Sequence, residues 1–301
     1  MTETIPALGF IGLGVMGSGM CANAVRKHAG PLHAFDMNAE ALAAQVANGA
    51  AAAGSVADVA RAARVIFLSL PGGKQVHAVC EEIAAHAAPG TIVVDLSTTS
   101  VAEARAVAGL LAAKGIAFAD APVARTRQAA IDGTLSIMVG ADEALFARIE
   151  PLLRYMGSDV TLCGDVGCGQ VVKLINNTLL FEQVAALAEM FVVAERAGVA
   201  PAKLVEAVSL GSGDSFALRN HGLKAMVPRQ FPEKAFPMPY AVKDLGYTIE
   251  LAEQMGVEPR LPRLAAEYYQ AAIDAGIGQS YFPGIIEVVD PRARPDAGKG
   301  A

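Results

Sequence analysis

The sequence predicts two domains: an α/β domain built on a doubly wound, largely parallel sheet, followed by an all-helical domain. Three observations predict this. Short apolar runs alternate with Ala-rich helical stretches through the first half of the chain. The first of these runs opens into a glycine-rich turn and then a helix-compatible stretch. After about residue 166 the strand signals stop and only helical segments follow. At about 150 residues per domain, a chain of 301 residues suggests about two domains. The boundary is expected at 165/166, giving domains 1–165 and 166–301.

Taken in order, the strand candidates are Ala7–Gly12, Leu32–Asp36, Val65–Leu70, Thr91–Leu96, Ile116–Asp120, Leu135–Val139 and Val160–Cys163. They are continuous apolar runs rather than strict alternations, as expected for strands covered on both faces. Helical stretches separate them: Ala39–Ala47, Gly73–Ala87, Val101–Lys114 and Asp142–Met156. This alternation builds a parallel sheet with helices on its faces. In the second half the helical segments are roughly Gly169–Ala197, Pro201–Leu210, Ser215–Met226, Tyr240–Met255 and Leu261–Ala275. Pro201, Pro239 and Pro262 sit at or near helix starts, where a missing N–H costs little. Gly164-Asp165-Val166-Gly167 runs straight into the long helix, so a rigid joint is expected.

Composition excludes several classes. The chain is 53% hydrophobic with a net charge of -6, so it is not a disordered chain. The acidic balance argues against nucleic-acid binding, which neutralises phosphates with basic residues. The four cysteines, Cys21, Cys80, Cys163 and Cys168, read as reduced thiols of a cytoplasmic protein. Their spacing gives no zinc site, and no metal is expected. Met1–Pro6 lacks a basic region before an apolar run and does not read as a signal peptide. The mean hydropathy of +0.39 directs attention to Thr178–Gly198, but this stretch carries Glu182, Glu189 and Glu195. It therefore reads as a buried helix, and no membrane association is expected. The tail from Pro291, rich in Pro, Gly and charge, is expected to fray.

The first strand ends in Gly12-Leu13-Gly14-Val15-Met16-Gly17, a GxGxxG turn. The first glycine makes the tight turn, the second admits a pyrophosphate to the backbone, and the third packs helix against strand. The helix that follows offers N–H groups and a positive dipole end to the phosphates. Asp36 closes the second strand, 19 residues after Gly17, where a carboxylate holds the ribose 2′-hydroxyl of NAD. A carboxylate there repels the 2′-phosphate of NADP, and the next residues are Met37-Asn38 rather than Arg, so NAD is favoured over NADP. Asp36 alternatively caps the helix beginning near Ala39, a task Asn38 fits equally. The domain is thus of the Rossmann type.

These residues and four later stretches resemble the β-hydroxyacid dehydrogenase family, of the 3-hydroxyisobutyrate dehydrogenase kind. The opening is Gly9-Phe10-Ile11-Gly12-Leu13-Gly14-Val15-Met16-Gly17. Asp120-Ala121-Pro122-Val123 resembles the start of the family's substrate motif, and Gly133–Gly140 the strand after it. Gly167–Asn177 resembles the catalytic helix, and Lys243-Asp244-Leu245 the C-terminal motif on the cofactor side. The similarity spans roughly residues 7–275. It implies a dehydrogenase or reductase that interconverts a small anionic 3-hydroxy acid and its semialdehyde.

On this resemblance Lys173 is the general acid/base, and the ammonium also stabilises developing alkoxide charge. Gln170, Lys173 and Asn177 share one helix stripe, so Gln170 and Asn177 are expected at the substrate; Asn177 alternatively holds the two domains together. Leu70, Pro71 and Thr98 follow strand ends and are expected to line the cofactor path, although Ser97, Thr98 and Thr99 also suit helix capping before Val101. Lys243 is expected to reach the nicotinamide end. The family commonly forms homodimers or homotetramers.

The substrate loop departs from the family. Where most members continue with Ser-Gly-Gly, this chain has Ala124-Arg125-Thr126. An arginine replaces the first glycine, so any left-handed backbone there is strained. Val123, Ala124, Arg125 and Thr126 are still expected to bind substrate. Arg125 offers a planar fork for carboxylate or sulfonate, and Arg125-Thr126 resembles the variant of sulfolactaldehyde reductases. Alternatively, Arg125 faces solvent or pairs with an acidic neighbour. A non-enzymatic reading, a dinucleotide-binding scaffold, is opposed by Lys173.

Overall fold

The computed structural model describes residues 5–233 and 235–290. The expectation for the tail from Pro291 lies outside the described residues. The chain divides into two compact units between Lys173 and Leu174.

The first unit is a nine-stranded sheet flanked by helices. Its first half runs β1 (Leu8–Ile11), α1 (Gly17–Lys27), β2 (Leu32–Phe35), α2 (Ala39–Ala47), β3 (Ala51–Ala52), α3 (Val56–Ala62) and β4 (Val65–Leu68). It continues with α4 (Gly73–His86), β5 (Ile92–Asp95), α5 (Val101–Ala112), β6 (Ala117–Asp120), β7 (Val123–Ala124), α6 (Arg127–Asp132), β8 (Leu135–Gly140), α7 (Glu143–Leu153) and β9 (Gly157–Gly164). The path β3-β2-β1-β4-β5-β6 is parallel throughout, with the chain reversing its sense of winding at β1. This is the doubly wound arrangement, whose ligands sit beyond the carboxyl ends of the strands at the switch point.

β8 departs from it. It pairs antiparallel with the end of β6 and with β7, and parallel with β9. β1, β4 and β5 are buried at every residue, which is why they read as continuous apolar runs. One core face packs Phe10, Met20, Phe67 and Val94; the other packs Ile66, Leu68, Ile83 and Val107.

The second unit is helical. α8 (Cys168–Arg196) enters it unbroken from the first unit and is followed by α9 (Pro201–Val208), α10 (Met238–Gln254), α11 (Arg260–Ala272) and the short α12 (Ile286–Val289). Leu218–Met226 is wound as π-helix, and Ile273–Ile277 after α11 is kinked at Gly276, whose φ is +83°. The core gathers Phe181, Phe191, Met226, Leu245, Tyr269 and Phe282. By length and composition α8 is the one helix among the described residues able to cross a membrane. Leu174, Phe181, Val184, Ala188 and Phe191 on it are buried.

Candidate active site

The three glycines of the first turn do different work. Gly12 takes φ of +95°, and a Cβ there would lie 2.2 Å from the Ser69 carbonyl oxygen. At Gly17 a Cβ would lie 2.1 Å from the Gly12 carbonyl oxygen. Gly14 faces open space, with nothing within 4 Å of its Cβ position. α1 then begins with no side-chain cap and no acidic residue in its first turn, so the positive end of its dipole is uncompensated. Leu13, Val15 and Met16 complete the turn.

Asp36 stands beside this turn. Its Oδ2 accepts from the Leu13 N–H at 2.5 Å and its Oδ1 from the Asn38 N–H at 2.7 Å. The helix cap belongs to Asn38, whose Oδ1 accepts from Glu40 and Ala41. An open glycine face, an uncapped helix start and a carboxylate at the end of β2 fit a dinucleotide's pyrophosphate and ribose.

The ends of β4 and β5 are tied together. Ser97 Oγ accepts from the Leu70 N–H at 2.8 Å, and Asp95 Oδ1 accepts from the Ser97 N–H at 3.0 Å. Leu70 and Thr98 are half-buried there, and Pro71 is exposed. The cap of α5 is Ser100, whose Oγ accepts from the Glu103 N–H at 3.1 Å.

The start of α8 is fastened to the same edge. Asp120, at the end of β6, accepts from the Gly167 N–H at 2.7 Å and the Gln170 N–H at 2.8 Å. Burial pushes the Asp120 carboxyl up to about 6, against those two hydrogen bonds and the charge of Arg105. Gln170 is fully buried; its Oε1 accepts from the Thr99 N–H at 3.1 Å and its Nε2 donates to the Ser97 carbonyl at 2.8 Å. Its carboxamide is thus directed at the Ser97–Thr99 turn. Gly169 lets the helix approach β8, since a Cβ would lie 2.4 Å from the Met138 carbonyl oxygen. Lys173 follows within the first turns of α8 and is 8% exposed.

The substrate-motif loop lies in the same unit. Val123 and Ala124 form β7, opposite Ile137 and Ser136. Arg125 has φ of +85°. Its guanidinium donates to the Thr134 carbonyl, to Ser158 Oγ at 3.0 Å and to Asp159 Oδ2 at 2.8 Å. Of the two alternatives to substrate contact, the pairing with an acidic neighbour is the geometry observed. Thr126 caps α6, its Oγ1 accepting from the Ala129 N–H at 3.4 Å. α6 in turn is bound to α1: Asn23 Nδ2 donates to the carbonyls of Ala130 and Ile131 at 2.8 and 2.9 Å.

In the second unit, Asn177 Nδ2 donates to Asp244 Oδ2 at 2.7 Å, and both residues are buried. Lys243 lies 3.3 Å from the other Asp244 oxygen, between the rings of Tyr240 and Tyr247. Among the described residues no group of three His, Cys, Asp or Glu side chains is placed to hold a metal ion.

Sequence reasoning missed Asn23, Asp159, the hold of Asp120 on the start of α8 and the pairing of Asp244 with Asn177. Asp120 and Asp244 stood inside recognised motifs, but their partners lie 47–67 residues away in sequence. Nothing in the sequence marks Asn23.

Comparison with known proteins agrees with this geometry. Residues 7–164 match the family described as the NAD binding domain of 6-phosphogluconate dehydrogenase. Residues 167–289 match the NAD-binding family of NADP-dependent 3-hydroxyisobutyrate dehydrogenase. The 2-(hydroxymethyl)glutarate dehydrogenase of Eubacterium barkeri is 35% identical, with 93% of this chain and 94% of that protein aligned. The 3-sulfolactaldehyde reductase of Escherichia coli is 33% identical, covering 94% and 95%. The solved 3-hydroxyisobutyrate dehydrogenase of Mycobacterium tuberculosis with L-serine superposes with a TM-score of 0.88 at 31% identity, covering 95% and 100%. The fold and the phosphate turn define a nicotinamide-dinucleotide-dependent dehydrogenase acting on hydroxy acids. The chain belongs to the β-hydroxyacid dehydrogenase family.

Proposed function

We propose that the enzyme interconverts a small 3-hydroxy acid and its semialdehyde, with NAD(H) as cofactor and Lys173 as general acid/base. The observation that carries this reading is the fastening of α8. Asp120 and Gln170 tie its first turn to the ends of β5 and β6, the edge at which doubly wound sheets take their ligands, and the nearly buried Lys173 follows in the next turn of the helix. The substrates named for two relatives, 2-(hydroxymethyl)glutarate and 3-hydroxyisobutyrate, share a CH2OH group on the carbon that bears a carboxylate.

In this mechanism the residues Gly12–Gly17 and Asp36 hold the dinucleotide, with Leu70, Pro71 and Thr98 beside it and Lys243 at its nicotinamide end. When bound, the dinucleotide accepts or returns the hydride. Lys173 takes the alcohol proton on oxidation and gives it back on reduction, and as an ammonium it stabilises the alkoxide. The Val123–Thr126 loop and Asn177 orient the carboxylate. Asp36 supports NAD over NADP by repelling a 2′-phosphate. Gln170 serves by holding the turn at Ser97–Thr99.

The test is absorbance at 340 nm with a panel of 3-hydroxy acids, semialdehydes and 3-sulfolactaldehyde, each with NAD(H) and NADP(H). The expected outcome is oxidation of a 2-substituted 3-hydroxypropanoate with NAD preferred. Lys173→Ala should lower kcat by about 10²–10⁴-fold, the scale of lost general acid/base catalysis, while dinucleotide affinity holds. Selective turnover of 3-sulfolactaldehyde would instead favour the second reading, sulfonate recognition by Arg125, which rests on the resemblance to the Escherichia coli reductase. The ion pair to Asp159 weighs against it.

We further propose a cytoplasmic homodimer or homotetramer. Support comes from an exposed apolar stripe on α8, formed by Ile175, Leu179, Met190 and Val193.

A further inference from the structure

We propose that Arg125 is a positioning residue that sets the substrate loop through a clamp on β9, rather than the receptor for the substrate's anionic group. The proposal rests on the reading that the Val123–Thr126 loop orients the substrate's carboxylate. Arg125 and Arg229 are the non-glycine residues with positive φ among the described residues. A side chain in the left-handed region crowds its own backbone, so the conformation persists only where surrounding contacts over-determine it.

Those contacts are explicit. From the end of β7 the guanidinium reaches past the start of β8 to β9. It donates to the Thr134 carbonyl, to Ser158 Oγ at 3.0 Å and to Asp159 at 2.8 Å. Ser158 Oγ also donates to Asp159 Oδ2 at 2.7 Å. The Ser158 hydroxyl, followed by Arg125, holds the Asp159 carboxyl below the usual carboxylate range. A guanidinium already paired with a carboxylate carries little net charge toward a second anion. What it fixes is the backbone of residues 124–126, directly before the Thr126 cap of α6.

The two roles give opposite orders of variants. Glycine takes a left-handed φ without a Cβ clash, whereas alanine does not. Steady-state kinetics on the best 3-hydroxy acid should show Arg125→Ala raising KM about tenfold, equivalent to about 1.4 kcal/mol, with kcat changed by less than about twofold. Arg125→Gly should recover most of that KM, despite lacking the guanidinium. Asp159→Asn should raise KM in the wild-type background and leave it unchanged in the Arg125→Gly background, as coupled residues do. If Arg125→Gly is as impaired as Arg125→Ala while Asp159→Asn keeps the wild-type KM, the guanidinium itself binds substrate and the proposal is overturned. If wild type turns over no 3-hydroxy acid, the functional reading fails by itself, and melting temperatures decide the clamp. Arg125→Gly should then melt about 2–4 °C above Arg125→Ala; equal melting temperatures overturn it.

Discussion

Asp120 holds its two N–H partners from a buried position, and this gives the cap a pH dependence. Its carboxyl is raised from 3.8 to about 6, chiefly by burial. Between those values the folded chain binds a proton that the unfolded chain does not. Stability from this group is therefore fully present below 3.8 and is lost as pH rises through about 6. His221 slopes the other way. Burial, then the charge of Lys224, lowers it from 6.5 to about 4, so its contribution is present above 6.5 and is lost as pH falls toward 4. Urea melts across this window should show a shallow net dependence in wild type. In Asp120→Asn stability should rise more steeply with pH, by on the order of 2 kcal/mol across the window, since one pKa unit corresponds to about 1.4 kcal/mol. A variant with the wild-type slope would show that Asp120 does not titrate there.

At the scale of elements, α8 depends on close approach as much as on hydrogen bonding. A methyl group at Gly169 would meet the Met138 carbonyl oxygen at 2.4 Å, Asp120 Oδ2 at 2.8 Å and the Gly140 nitrogen at 2.9 Å. Gly169→Ala should therefore lift the helix start off β8 and destabilise by about 1–3 kcal/mol, the usual cost of overpacking. Denaturant midpoints check the loss, and kcat should fall with it because the proposed acid/base, Lys173, shares that helix. The long elements were legible in the sequence because length and unbroken apolar runs announce them: β1, β4, β5, α5 and α8 fall where their patterns place them. β3 and β7, two residues each, and α6, six residues, carry too few residues for a period. α3 buries Val56, Val59 and Ala60 on one side, but at seven residues it is too short for that spacing to stand out. Within the site, the glycine turn was legible because backbone geometry demands glycine. The partners of Asp120 and Gln170 were not, because they lie 47–73 residues away in sequence, nor was the reach of Arg125 to Ser158 and Asp159 on β9.

For the whole molecule, the topology of β1 to β6 follows from alternation, whereas the antiparallel β8 has no local signature and is fixed by pairing alone. The exposed stripe on α8 belongs to the same scale. Leu179 is 52% and Val193 57% exposed, on a helix whose other side is core. Light scattering should find an oligomer for wild type, and Leu179→Glu with Val193→Glu should shift it toward monomer without loss of helicity. A wild-type monomer would remove the stripe from the interface.

The grip of Asn23 on the last carbonyls of α6 has its own consequence. α1 begins at the phosphate turn, and α6 begins at the loop that carries Arg125 and Thr126. One amide side chain thus links the helix that starts at the glycine turn to the helix that starts at the Arg125–Thr126 loop, the segments proposed to hold dinucleotide and acid. Saturating dinucleotide should tighten hydroxy acid binding, the acid should tighten the dinucleotide by the same factor, and calorimetry on Asn23→Ala should find that mutual reinforcement reduced.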